Sequence, residues 1–331
     1  MSERCRKAMT APGVTVVIPA RNRRAMVAQA VDSVLAQTWR DFELVIVDDG
    51  SEDGTFEHLS EIARERNTDR EGLVRIQRIA HRGPAAARNR GVALARAPMV
   101  AFLDSDDLWT PRKLERHLAY ARAHPEFPLS QTGELWLRDG RRVNPARRHL
   151  KRAGDIFVES LRTCLVSPSA AMLPVKLFAE IGGFDEDMGA AEDYDLWLRI
   201  LVRHQAGLLD EPLTIRRAGH PGQLSATIPA LDRFRILALA KLLLAAPLDA
   251  QRRAAAASVL AEKCRIYAKG LKRRARIEES EFHEYLAERA EREWVEGAGA
   301  SLAGAVESIR RRVRSRSGRE AGEGTCANDN P

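Results

Sequence analysis

The sequence predicts an α/β fold with a parallel sheet built from βαβ units, followed by an all-helical C-terminal region. Two observations carry this. From Val14 to about Leu224, short β-branched runs alternate with Ala-, Arg- and Glu-rich stretches, at the spacing of strand–helix–strand repeats. From Pro229 to about Trp294, Leu, Ile and Ala recur at a helical period, interrupted at Pro247. With 331 residues, 44% of them hydrophobic, there is material for a sizeable core.

In chain order, Val14–Ile18, Leu44–Val47, Leu73–Ile76 and Met99–Leu103 read as buried strands. Helices are expected near Arg23–Ala36, Thr55–Arg66 and Pro84–Ala95, and another begins near Pro111. Asp139-Gly140, between apolar runs, is a hairpin-turn signal. It belongs to an insertion containing Trp136 and a basic stretch from Arg141 to Arg152. That stretch reads as a solvated face, with the binding of an anionic group as the functional alternative. Leu196, Trp197, Ile200 and Leu201 form an apolar helical face, expected in the core. From about Arg310 the Gly, Ala, Ser and Arg composition predicts disorder. The expected boundaries are a flexible N-terminus at 1–12, an α/β domain at 13–228, a helical extension at 229–296 and a disordered Arg-rich tail at 297–331.

Composition excludes several classes. Cys5, Cys164, Cys264 and Cys326 form no CxxC pair, so neither a zinc site nor a disulfide framework is expected, and free thiols suit a reducing cytosol. The best apolar run, Ile236 to Ala246, contains Lys241 and is too short to span a bilayer. No secretory signal is evident, so a cytoplasmic protein is expected, with peripheral contact at the inner membrane face as an extension of that reading. The net charge of +7 is concentrated at the C-terminus: residues 230–331 carry about five of those charges. The remainder is too nearly neutral for an extended nucleic-acid track.

Ligands of open α/β sheets bind beyond the carboxyl ends of the strands. The first strand runs into Pro19-Ala20-Arg21-Asn22, and the second into Asp48-Asp49-Gly50-Ser51. Turn formation and capping explain one such Asp; two adjacent carboxylates repel and suit a polar ligand as well. The fourth strand runs into Asp104-Ser105-Asp106-Asp107. Asp107 would serve as a cap for the helix near Pro111, which leaves two carboxylates unexplained. Concentrated hard oxygen ligands suit Mg²⁺ or Mn²⁺, and Mg²⁺ commonly shares its shell with substrate phosphates.

These blocks are VTVVIPARNR, QTWRDFELVIVDDGSEDGT, HRGPAAARNRGVALARAPMVAFLDSDDLW and AEDYDLWLRI. Together and in this order, over about Val14 to Ser225, they resemble the family 2 glycosyltransferases. The resemblance implies the GT-A fold, a Rossmann-like mixed sheet with flanking helices. It also implies transfer of a sugar, with inversion, from a nucleoside-diphosphate donor to an acceptor hydroxyl. By the same resemblance Pro19, Arg21 and Asn22 border the nucleotide base; Arg21 replaces an aromatic and would stack or hydrogen-bond. Asp49 would accept from the base with Asp48 nearby. Arg82, Gly83 and Arg88 flank the nucleotide, Arg88 pairing either with phosphate or in a helix salt bridge. Asp104 would hold the ribose or a metal-bound water, with Ser105 beside it, and Asp106 would ligate the divalent cation. Asp193 is the expected general base and Glu192 the fallback; helix-start preference for acids is the plainer explanation of both. His220 is a secondary candidate for the metal or diphosphate, against simple solvation in a Gly/Pro loop. Ser167-Pro168-Ser169 receives no role.

The expected partners are a nucleoside-diphosphate sugar and a glycan or lipid-linked acceptor, in cell-surface polysaccharide or glycoconjugate synthesis, with no nucleic acid. A sugar nucleotidyltransferase is the first alternative, but PARNR lacks the Gly-rich loop that class carries after its first strand. A non-catalytic module that binds membrane or nucleic acid is the second. The arginines Arg310, Arg311, Arg312, Arg314 and Arg316 would attract anionic lipid or solubilise a tail.

Overall fold

The computed structural model describes residues 11–67, 72–220, 222–223, 228, 230–295 and 300–323, with side chains of the last segment at 301–314. Most of the N-terminal segment 1–12, Cys5, Cys326, Pro221, Leu224, Ser225 and the Arg316 side chain lie outside them.

The N-terminal half follows the expected alternation. It runs β1 (Val14–Ala20), α1 (Arg24–Leu35), β2 (Phe42–Asp49), α2 (Thr55–Arg66), β3 (Val74–Ile79), α3 (Pro84–Ala93) and β4 (Met99–Phe102). These strands pair in parallel in the order β3-β2-β1-β4. Period-two burial sorts β1 between two cores: Val14, Val16 and Ile18 face α1 residues such as Val27 and Val31, while Val17 joins the core on the other face.

The sheet then becomes mixed. After β5 (Leu108–Trp109) and α4 (Lys113–Ala123) come β6 (Leu129–Arg138), β7 (Arg141–Val143), α5 (Phe157–Arg162), β8 (Ala171–Pro174), α6 (Val175–Ile181), α7 (Glu192–Leu201) and β9 (Ala206–Ala218). Strand β8 lies antiparallel between β4 and β6, and β9 joins β6 in parallel. Asp139 and Gly140 turn the β6–β7 hairpin as expected. Leu196, Trp197, Ile200 and Leu201 are buried.

The helical region consists of α8 (Asp232–Ala245), α9 (Ala250–Lys272), α10 (Ile277–Arg292) and α11 (Ala300–Glu323). Helix α8 is apolar nearly all round, with Phe234, Ile236, Leu239 and Leu243 buried, because other helices surround it. One continuous core runs from Val17 through α7 and α8 to Val313, so the extension shares the core of the sheet region. The expectation of disorder at 297–331 is corrected over Ala300–Glu323. Leu302, Val306, Ile309 and Val313 are buried at helical spacing, an apolar stripe that the Arg-rich composition masks. Among the described residues no helix is long and apolar enough to cross a membrane.

Candidate active site

The carboxyl ends of β1, β2 and β4 meet at one sheet edge, and their loops lace together. Asn22, at φ 49°, accepts from Glu52 N at 2.9 Å through its side chain, and its own N–H donates to Ser51 Oγ at 3.0 Å. Asp48 accepts from Ser51 N at 3.1 Å, the turn-forming role open to it on sequence. Asp49, buried, receives three donors: Arg82 N at 2.8 Å, Gly83 N at 2.9 Å and His81 Nδ1 at 2.7 Å. Arg21 Nη1 lies 2.7 Å from His81 Nε2. Arginine only donates, so Nε2 accepts and Nδ1 carries the proton given to Asp49. Asp49 thus organises the 81–83 loop, with Arg21 joined to it through His81, while Pro19 lies in β1 opposite Val47. Gly83 is required by its φ of 91° and ψ of 171°, not by close approach, since an added Cβ would meet nothing within 4 Å.

Asp104, Asp106 and Asp107 each bring one ligand atom within 4.8 Å of the others. His220 Nε2 lies 3.1 Å from Asp106 Oδ2, so the loop after β9 returns to the motif. Burial pushes the Asp106 carboxyl above its usual range and Asp104 adds to this, while His220 and Arg23 oppose it. Asp107, fully buried, is pushed up to about 7 by burial, against Arg216 and with the repulsion of Asp106 and Asp104. Its capping assignment is corrected: it accepts from Ser169 Oγ at 2.6 Å and Arg217 N at 2.9 Å, whereas Arg112, at the N-cap of α4, makes no side-chain cap. Three crowded carboxylates and an imidazole form a donor set that fits a hard divalent cation.

Arg88 joins this motif to the second acidic one. Its Nη2 donates to Asp104 Oδ1 at 2.7 Å and its Nη1 to Glu192 Oε1 at 2.6 Å. It is 5% exposed, with Phe184 against the guanidinium. The salt bridging open to it on sequence is made, with partners beyond its own helix. Glu192 is buried beside it; burial and Asp193 raise its pKa against the charge of Arg88. Asp193 is less buried, accepting from Tyr194 N at 2.7 Å and lying 3.6 Å from Cys164 Sγ. Among the described residues Asp193, unlike Glu192, has no arginine within ion-pair distance.

Sequence reasoning missed the residues that hold these loops. Ser169 Oγ accepts from Asp104 N at 3.1 Å and donates to Asp107, while its carbonyl accepts from Trp109 Nε1 at 2.8 Å. Arg217 donates through Nε to the Asp106 carbonyl and through Nη1 to Gln29. Ser105 is half-buried between the acids. No local signal marks Ser169 or Arg217, because their partners arrive through distant strand pairing.

Comparison with known proteins matches this geometry. An uncharacterized glycosyltransferase of Rickettsia felis is 31% identical over 207 residues, 61% of this chain and 32% of that protein. The chain thus spans about a third of the length of that curated relative. S. aureus TarS 1-349 in complex with UDP-GlcNAc superposes with a TM-score of 0.65 at 20% identity, covering 92% of each chain. The mannosyltransferase PcManGT from Pyrobaculum calidifontis, in complex with GDP-Man and Mn²⁺, gives 0.58 at 18% identity over 95% of this chain and 85% of the other. These two structures share the GT-A fold, and the match extends into the C-terminal helices. The profile described as Glycosyl transferase family 2 matches residues 15–182, and the chain belongs to that family.

Proposed function

We propose that the protein is an inverting glycosyltransferase that moves a sugar from a nucleoside diphosphate to an acceptor hydroxyl. The observation that carries this is Arg88, which holds Asp104 of the β4 acidic loop and Glu192 of α7 on one guanidinium. The charge cluster suited to a cation and the helix bearing Asp193 are thereby fixed relative to each other. Asp106 and His220, with Asp104, would hold the divalent cation. When bound it neutralises charge developing on the departing diphosphate.

The remaining roles belong to side chains. The loop built on Asp49 and His81 shapes the nucleotide end together with Pro19, Arg21 and Arg82. Asp193 takes the proton of the acceptor hydroxyl as that oxygen bonds to the anomeric carbon and the bond to the diphosphate breaks. Glu192 orients α7 through Arg88. UDP-GlcNAc in the TarS structure and GDP-Man with Mn²⁺ in PcManGT support a nucleotide-sugar donor and a divalent ion.

The test is a screen of nucleotide sugars with purified protein, reading released nucleoside diphosphate with and without Mn²⁺. Turnover should require the ion and fall by about 10²-fold or more in Asp106→Ala at an unchanged melting temperature. Full activity in that variant, with EDTA also harmless, would overturn the assignment.

A further inference from the structure

Four cations from three parts of the fold converge on His149, in the segment after β7. Arg148 and Lys151 come from the segment after β7, Arg216 from β9 and Arg235 from α8. Burial and all four charges hold the imidazole below its usual pKa. Arg148 Nε donates to His149 Nε2 at 3.1 Å, so that nitrogen is already an acceptor. His149 in turn lies against Trp136, ring centres 5.6 Å apart, and the Arg216 guanidinium is 4.9 Å from the Trp136 ring centre.

Two of these cations have carboxylate partners. Lys151 Nζ lies 3.0 Å from Glu134 Oε1, and Arg235 Nη1 lies 3.3 Å from Asp232 Oδ1. Among the described residues Arg148 and Arg216 have no carboxylate within ion-pair distance, and the half-buried Arg216 guanidinium lies over Trp136 with no side-chain hydrogen bond. A half-buried guanidinium whose five donors meet no protein acceptor is open to a ligand that supplies one. Its neighbours place it: the charges of Asp107, Asp104 and Asp193 all act on Arg216, besides that of Glu134. Lys151 also donates to the Leu165 carbonyl at 3.0 Å, and the adjacent Cys164 thiol lies 3.6 Å from Asp193. The cluster therefore borders the carboxylate assigned as base.

We propose that it is an acceptor subsite for an oxyanion, a phosphate or carboxylate group carried by the acceptor and gripped by Arg216 with help from Arg148. This rests on the glycosyltransferase reading, which makes the Asp193 side the acceptor side. Arginine suits the role because its planar fork matches either oxyanion.

The test uses the full chain with UDP and Mn²⁺ present. Binding is measured for methyl glucoside, its 6-phosphate and methyl glucuronide, which share a ring and differ in charge. The two anionic glycosides should bind about tenfold or more tightly than the neutral one. The stronger of the two identifies the oxyanion. Raising salt to about 0.5 M, where the Debye length is only a few ångströms, should shrink the preference. Arg216→Gln should abolish it, Arg216→Lys should keep part of it, and Arg148→Gln, an exposed change that spares the fold, should weaken it. Arg122→Gln on α4 is the control and should keep it. Equal binding of the three glycosides overturns the proposal, as does a preference that survives both glutamine variants. So does loss of UDP affinity in Arg216→Gln with the preference intact, which would assign Arg216 to the donor diphosphate. Nucleoside diphosphate release from a sugar donor tests the enzyme reading by itself, so an enzyme that turns over donor without anion preference fails only here.

Discussion

Arg88 and Glu192 meet at 2.6 Å inside the core, 104 positions apart in sequence. The other arm of the same guanidinium reaches Asp104 at 2.7 Å. Burial opposes this charge, but both carboxylates raise the arginine pKa above its ordinary value, so it stays ionised. The planar fork sets the direction of both bonds from a single side chain, which an ammonium does not. The two acidic motifs are therefore one mechanical unit.

Replacing Arg88 by Ala should cost about 3–5 kcal/mol, since it leaves two carboxylates in the interior without their cation. Arg88→Lys should fold more stably than the alanine variant yet turn over donor far more slowly, because an ammonium is a point charge. Urea unfolding and donor turnover together check this. An alanine variant as stable as wild type would mean that the pair contributes nothing.

Much of this was legible beforehand because the second and fourth strands run into clustered acids. Val14–Ala20, Phe42–Asp49 and Met99–Phe102 are apolar runs bounded by turn formers, so their ends could be found and their acids read as a site. The acids' partners were not legible. Ser169 reaches Asp107 only because β8 pairs with β4, and Arg217 only because β9 pairs with β5. Local pattern carries no information about such pairings. Helix α11 was missed for another reason: arginines dominate the composition, while Leu302, Val306, Ile309 and Val313 alone decide its packing.

Helix α3 lies so close to β1 that a Cβ at Gly91 would collide with Val17 Cγ1. Gly91→Ala should destabilise by about 1–3 kcal/mol despite the better helix propensity of alanine. Val17→Ala added to it should recover part of that loss, giving a favourable coupling energy in a double-mutant cycle. Strict additivity of the two changes would show that the contact is not the cause.

Glu134 gives a pH dependence of known direction. Burial alone would raise its pKa, but Lys151 and Arg216, with the Ser167 hydroxyl, bring it down to about 2. A carboxylate depressed in the folded state contributes stability above its unfolded pKa, and loses it as pH falls towards the folded value. The contribution, on the order of 3 kcal/mol at pH 7, should therefore fade between about pH 5 and pH 2. Wild type and Glu134→Gln should differ most in urea midpoint near pH 7 and converge in acid. A gap independent of pH would place the effect in packing.

Lys241 makes the C-terminal region part of the catalytic unit. Its Nζ lies 2.6 Å from Asp195 of α7 and 2.6 Å from Asp185 in the loop before α7. That loop is held from two further sides, by Arg82 to Glu186 at 2.7 Å and by Arg314 to Asp187 at 2.7 Å. Every acid of Asp185-Glu186-Asp187 thus pairs with a cation from a different element. Asp195 keeps Arg199 if Lys241 is lost, but Asp185 has no second cation within ion-pair distance among the described residues. Lys241→Met should lower stability by about 2–4 kcal/mol, somewhat less than loss of a fully buried pair. It should also lower kcat more than it raises KM for the donor, because the loop leads into Glu192 and Asp193 while the 81–83 loop keeps its bonds to Asp49. Steady-state kinetics beside thermal unfolding make the measurement. A donor KM that rises with kcat unchanged would mean that the lysine supports nucleotide binding and not the orientation of α7.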